Sequence, residues 1–279
     1  MDQNIYDIII FGGQSNMQGQ TEKLVVREPG ENMLEYRMLT DELLPLKDPA
    51  GEDIRPDGTR GVPYSEELGG KWHEINVLGS AVFGSTTLLP SFCKAYTEET
   101  GRKCVAVHAA KGSTDIDYWL PGTPGFSAIL RKANAAKAKL AASGLTPGRI
   151  FTVWLQGESD AIESKPKNVY KDMIACLAAA LKTDPGIEKF GIIRVGRFTC
   201  DARDTEIIEA QDEICAENRD FIMLTTLATA LYDDPASMNP FVGGHFSAHG
   251  LERLGTAAGL ALGQYVNTNS ACKPCARVL

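Results

Sequence analysis

Five short apolar runs, at residues 6–11, 104–110, 149–155, 191–196 and 221–225, constrain this chain more than any other feature. Each is rich in β-branched or aromatic residues, is bounded by turn formers, and reads as a strand buried on both faces. Between them lie stretches with helical spacing, at about 85–99, 127–142, 168–182 and 205–218, with a last one at 248–265. In the first of these, Leu88, Leu89, Phe92, Ala95 and Tyr96 share a face and Gly101 ends the helix. Strands that alternate with helices imply a parallel sheet covered on both sides by right-handed crossovers. The expected architecture is therefore an α/β fold, a three-layer α/β/α sandwich around a five-stranded parallel sheet. With no repeat, low-complexity tract or linker, residues 1–279 read as a single domain.

One region breaks the pattern. From about 20 to 76 the chain is polar and rich in Pro, Gly and charge, with a short periodic piece around 33–44. Irregular insertions of this length are uncommon in compact domains and usually serve as lids or binding surfaces. Tyr36, Tyr64 and Trp72 give it rings that could pack on sugar faces or pin the loop to the body.

Charge narrows the partners. A net charge of −8, with no clustered Lys or Arg, argues against nucleic acid and against a membrane surface. A neutral small molecule fits most easily; an anionic one needs local help, with Arg37, Arg55 and Arg60 the nearest candidates after the first turn. The acidic start Met1-Asp2-Gln3-Asn4 lacks a basic leader and no stretch has transmembrane length, so a cytoplasmic location is expected. The seven cysteines, at 93, 104, 176, 200, 215, 272 and 275, suit reduced thiols better than a disulfide framework. Cys272 and Cys275 form a lone C-x-x-C with no second pair, and His245 and His249, four apart, lack the Glu and third ligand of a zinc site, so no metal or other cofactor is expected.

Chemistry gathers where strands end. The run at 6–11 stops at Gly12-Gly13-Gln14-Ser15-Asn16-Met17, the run at 104–110 at Lys111-Gly112-Ser113-Thr114, and the run at 149–155 at Gln156-Gly157-Glu158-Ser159-Asp160. In a parallel sheet these turns share one edge, and His245 in the loop before the last helix can reach it. Ser15 either caps the helix that follows or acts as a nucleophile. Together these residues supply a hydroxyl, an imidazole, a carboxylate and N–H donors, the parts of an acyl-transfer site. No G-x-S-x-G, P-loop or dinucleotide fingerprint occurs.

The blocks Gly13-Gln14-Ser15-Asn16-Met17, Ala110-Lys111-Gly112-Ser113 with Trp119, Trp154-Leu155-Gln156-Gly157-Glu158-Ser159-Asp160, and His245-Phe246-Ser247-Ala248-His249-Gly250 with Leu254-Gly255 resemble the SGNH hydrolases. The resemblance is strongest to the branch of sialate O-acetylesterase-like proteins and acetylxylan esterases of carbohydrate esterase family 6, and it implies an SGNH, flavodoxin-like sandwich. It further implies that Ser15 is the nucleophile and, through its own N–H, one oxyanion donor. Gly112 N–H would be a second donor and the Gln156 amide a third, where most SGNH enzymes use Asn. His245 would be general base and then acid. The usual acid position three residues before the histidine holds Val242. Glu158 is the expected partner of the imidazole, with Asp160, Asp233 and Asp234 behind it; otherwise a Ser-His pair works with a backbone carbonyl. The implied activity is a serine carbohydrate O-acetylesterase acting on acetylated sugars of the sialic acid or xylo-oligosaccharide type through an acetyl-enzyme. The alternatives are an inactive carbohydrate-binding protein on the same fold, or an SGNH esterase or thioesterase for other short acyl esters.

Overall fold

A computed structural model describes residues 4–38, 40–51 and 86–270. Tyr64, Trp72, Arg55, Arg60, Cys272 and Cys275 lie outside the described residues, as does the 52–76 part of the predicted lid-like insertion.

The chain begins with β1 (Ile5–Gly13), a one-turn helix α1 (Ser15–Gln18), β2 (Met33–Arg37), β3 (Glu42–Pro45), α2 (Leu89–Thr100) and β4 (Lys103–Ala110). A 3-10 turn (Ile116–Trp119), α3 (Pro124–Ala142) and β5 (Thr146–Leu155) follow, then α4 (Glu158–Ile162), α5 (Lys167–Thr183), β6 (Lys189–Ile193), α6 (Ala202–Glu217) and β7 (Phe221–Thr225). The chain closes through α7 (Leu227–Leu231), a second 3-10 turn (Pro235–Ser237) and α8 (Ala248–Thr268).

The sheet has seven strands, in the order β3-β2-β4-β1-β5-β6-β7, where five were expected. The predicted runs correspond to β1, β4, β5, β6 and β7, and their pairings are all parallel. The two additional strands come from the segment read as irregular. β2 adds in parallel to β4, and β3 closes the edge antiparallel to β2. Their sequences hid them because Glu35, Arg37 and Glu42 interrupt the apolar pattern. Glu35 and Arg37 are nonetheless buried, paired at 2.7 Å, with Arg37 also donating to the Pro49 carbonyl and Gly51 N–H donating to Glu35. Tyr36, a candidate sugar platform, is instead a core residue whose hydroxyl reaches Asp41. Arg37, a candidate anion receptor, is spent on Glu35.

β4, β5 and β6 are each followed by a crossover in the same direction, so α3, α5 and α6 cover one face by the right-handed rule. On the other face α2 lies along α8, and Gly255 and Gly259 let the α2 backbone approach where any Cβ would overlap the carbonyls of Leu88 and Phe92. Ile8, Ile9, Ile10 and Phe11 of the central strand are fully buried between the two layers. The last predicted helix begins as expected because Ser247 caps it, its Oγ accepting from Gly250 N–H at 3.1 Å.

This topology positions the site. From β1 the chain first moves toward β2 and β3, then returns and advances past β1 to β5, so the crevice at the end of β1 is a switch point of the kind where ligands bind. Gly13 pairs in register with Ala110 of β4 and Leu155 of β5, so the three strand ends are level. Among the described residues no helix is long and apolar enough to cross a membrane.

Candidate active site

Ser15 sits on the turn that leaves β1. Gly13 has φ +140°, and any side chain there would overlap the Leu155 carbonyl; only glycine turns the chain this closely beside β5. Gln14 then holds the turn against the β5 exit, its N–H donating to Leu155 O at 3.1 Å and its Oε1 accepting from Ser159 N–H at 3.2 Å. Ser15 emerges 5 % exposed at the first position of α1, and its N–H finds no acceptor among the described residues.

His245 arrives from the loop after α7, and its Nε2 lies 2.8 Å from Ser15 Oγ across 230 residues of sequence. Its Nδ1 lies 2.9 Å from the Gly243 carbonyl. A carbonyl only accepts, so Nδ1 carries the proton and Nε2 is left to accept from the serine hydroxyl. Burial pushes the imidazole below its ordinary value of 6.5, opposed in part by the Gly243 hydrogen bond. The neutral ring, the form able to act as a base, is therefore favoured. Phe198 stands edge-on to it, ring centroids 5.8 Å apart.

The expectation that Glu158 orients the imidazole is not met in this geometry. Glu158 is 2 % exposed, and its Oε1 accepts from Asn16 Nδ2 at 2.9 Å while Oε2 is buried with no partner among the described residues. Burial raises its proton affinity, with Asp160 and Asp204 adding repulsion. The other carboxylates are committed elsewhere: Asp160 to Lys165, Asp233 to Arg197, Asp234 to Arg253. The position is filled by a backbone carbonyl because the 242–245 turn folds back on itself, His245 N–H reaching Val242 O.

Asn16 was not singled out from the sequence, yet it connects the parts. Its Oδ1 accepts from Phe246 N–H at 3.1 Å and its Nδ2 contacts the Gly244 carbonyl at 3.3 Å, so one side chain grips the residues on both sides of His245 while leaning on Glu158. Tyr232 hydroxyl donates to the same Gly244 carbonyl at 2.8 Å.

The expected oxyanion donors divide. Gly112 N–H points into the Ser15 turn, where Gln18 Oε1 accepts it at 3.0 Å; an oxyanion would take the place of that amide oxygen. Gln156 does not serve in this arrangement. It is fully buried, and both hydrogens of its amide are engaged, by Thr114 O at 3.1 Å and by Asp160. Tyr170 hydroxyl donates to its Oε1 and Lys165 in turn holds Asp160 at 2.8 Å. Gln156 thus ties the Lys111–Thr114 turn to α4 instead of facing the serine.

Among the described residues no cluster of His, Cys, Asp or Glu is placed to hold a metal ion; His249 is exposed on α8. A cavity of about 670 Å³ lies on the α2 side, lined by Arg27, Glu28, Lys94, Glu98 and Glu252 among others. It holds neither Ser15 nor His245, and its opposite charges satisfy one another, as in the Arg27–Glu252 pair at 2.6 Å.

The fold is a mostly parallel α/β sandwich whose central strand ends in a serine hydrogen-bonded to a histidine from the last loop, without the G-x-S-x-G elbow of the α/β-hydrolases. Residues 5–262 match the profile of the family described as carbohydrate esterase, sialic acid-specific acetylesterase, and the chain belongs to that family. Similar solved structures include a protein from Arabidopsis thaliana, 15% identical with TM-score 0.64 over 94% of this chain and 98% of that one. NanS is 12% identical with TM-score 0.65, over 97% and 100% of the two chains. A carbohydrate acetylesterase from Xanthomonas citri is 12% identical with TM-score 0.53, over 95% of this chain and 57% of that one. At these identities the likeness is one of fold. No curated protein sequence matches the chain.

Proposed function

We propose that this protein is a serine O-acetylesterase that removes acetyl groups from an acetylated sugar of the sialic acid or xylo-oligosaccharide type. The observation that carries the reading is the Ser15 Oγ–His245 Nε2 contact of 2.8 Å with Nδ1 fixed on the Gly243 carbonyl. Family membership supplies the acetylated carbohydrate.

His245 Nε2 takes the hydroxyl proton as Ser15 Oγ attacks the acetyl carbonyl carbon. The negative charge that develops on the carbonyl oxygen is met by the N–H groups of Ser15 and Gly112. The tetrahedral species collapses by breaking the bond to the sugar oxygen, which leaves with the proton that His245 returns. Water then attacks the acetyl-serine, again giving its proton to His245; acetate departs and Ser15 recovers its hydrogen. The charged imidazolium formed twice in this cycle is stabilised by the Gly243 carbonyl dipole, so the reading is a Ser-His pair with backbone support.

The experiment is hydrolysis of p-nitrophenyl acetate and labelling by a fluorophosphonate. Ser15→Ala is expected to abolish both while retaining the wild-type melting temperature. Undiminished turnover in that variant overturns the esterase reading, and a wild-type protein that neither hydrolyses nor labels is a binding protein on this fold.

A further inference from the structure

We propose that the Lys111 ammonium receives the carboxylate of an acidic sugar substrate; the assignment rests on the esterase reading and names the residue that selects the sugar. Lys111 is the first residue beyond β4. Its N–H donates to Gly13 O at 2.9 Å, its carbonyl accepts from Thr114 Oγ1 at 2.7 Å, and its successor is Gly112. The backbone is thus fixed beside the serine turn on one side and the Gln156 brace on the other.

Its side chain is the anomaly. Lys111 is only 8 % exposed, and no carboxylate or carbonyl accepts from its ammonium among the described residues. The contact it makes is with the face of Tyr118, 4.9 Å from the ring centroid. Elsewhere the fold pairs its buried and half-buried lysines. Lys132, 2 % exposed, donates to the His108 carbonyl at 2.6 Å, and Lys165 holds Asp160 with Asp115 and Asp117 beside it. The ammonium thus has a ring face and residual solvent contact but no counter-charge from the described residues. Burial accordingly lowers its proton affinity from the ordinary lysine value. An anion brought by the ligand supplies what the protein withholds.

The rest of the molecule makes a local cation necessary. A chain with net charge −8 does not attract an anionic sugar at long range. Arg37 is already bound to Glu35 and Pro49. An acetylated xylose unit carries no carboxylate and leaves Lys111 unanswered, whereas a sialic acid carries one.

The test compares an O-acetylated sialic acid with an O-acetylated neutral xyloside as substrates for wild type, Lys111→Met and Lys111→Arg. Wild type is expected to prefer the acidic substrate. In Lys111→Met the ratio of kcat/KM for acidic over neutral substrate is expected to fall by about 10- to 100-fold, the range of one charge-assisted hydrogen bond, with the change in KM; Lys111→Arg keeps most of the ratio. Calorimetry provides a readout independent of turnover. Ser15→Ala protein is expected to bind free sialic acid, and Ser15→Ala/Lys111→Met to lose that binding. An unchanged ratio, an equal loss on both substrates, or equal sialic acid binding with and without Lys111 overturns the assignment. Absence of turnover on both substrates in wild type instead removes the esterase reading, and the calorimetric comparison still judges Lys111. A melting temperature several degrees below wild type in Lys111→Met would mark the residue as structural and also overturn it.

Discussion

At the scale of single residues, the tautomer of His245 is decided by what its outer nitrogen touches. A carboxylate there would fix the ring and neutralise the imidazolium; the Gly243 carbonyl fixes the ring and offers only a dipole. The distinction can be measured at Glu158. Where an acid sets the catalytic tautomer, its replacement by the amide costs on the order of 10⁴-fold in turnover. Glu158 instead accepts from Asn16, and Gln can accept the same bond. Glu158→Gln is therefore expected to keep kcat within about tenfold of wild type, the scale of one neutral hydrogen bond. A fall of several orders of magnitude in a p-nitrophenyl acetate assay would restore Glu158 as the imidazole's partner.

At the scale of elements, the site is an agreement between α1 and the loop from Tyr232 to Ser247, and Asn16 is the clamp between them. Asn16→Ala frees the Phe246 N–H and lets the imidazole drift from the hydroxyl. Its kcat is expected to fall by about 10- to 100-fold, the cost of an ångström-scale misplacement, with KM little changed; steady-state kinetics on one acetyl ester separates the two. The sequence made some elements plain and concealed others for physical reasons. β1, β4, β5, β6 and β7 are buried on both faces and so read as continuous apolar runs. β2 and β3 lie at the sheet edge and carry Glu35, Arg37 and Glu42; the first two are buried as a pair that a hydrophobic pattern does not announce, and Glu42 is exposed. Ser15, Gly112 and His245 were legible as strand-end or last-loop residues. Asn16, Gly243 and Phe198 were not, because their parts depend on contacts across more than 40 residues or on a main-chain atom without a side-chain signature.

At the scale of the whole molecule, the described residues on either side of the 52–85 stretch meet at Asp48. Its Oδ1 accepts from both the N–H and the hydroxyl of Thr87, at 3.0 and 2.8 Å. Burial pushes its pKa up from 3.8 to about 7, against the opposing pull of the Thr87 and Ala50 hydrogen bonds and with Glu35 adding repulsion. The folded state therefore holds this proton more tightly than the unfolded chain does. The stability that follows is complete below pH 3.8 and is lost as pH rises through about 7. Asp48→Asn keeps an acceptor for Thr87 and removes the titration. Its melting temperature is expected to decline less than that of wild type between pH 5 and pH 8, followed by calorimetry; parallel curves would show that Asp48 does not titrate in this range.

The peptide oxygen at position 243 carries one last implication. An acidic partner can be erased by a single base change, but every amino acid brings a carbonyl. Inheritance of this support consequently depends on the path of the turn and not on the identity of one residue, so a search of kindred proteins for a third catalytic side chain would overlook it.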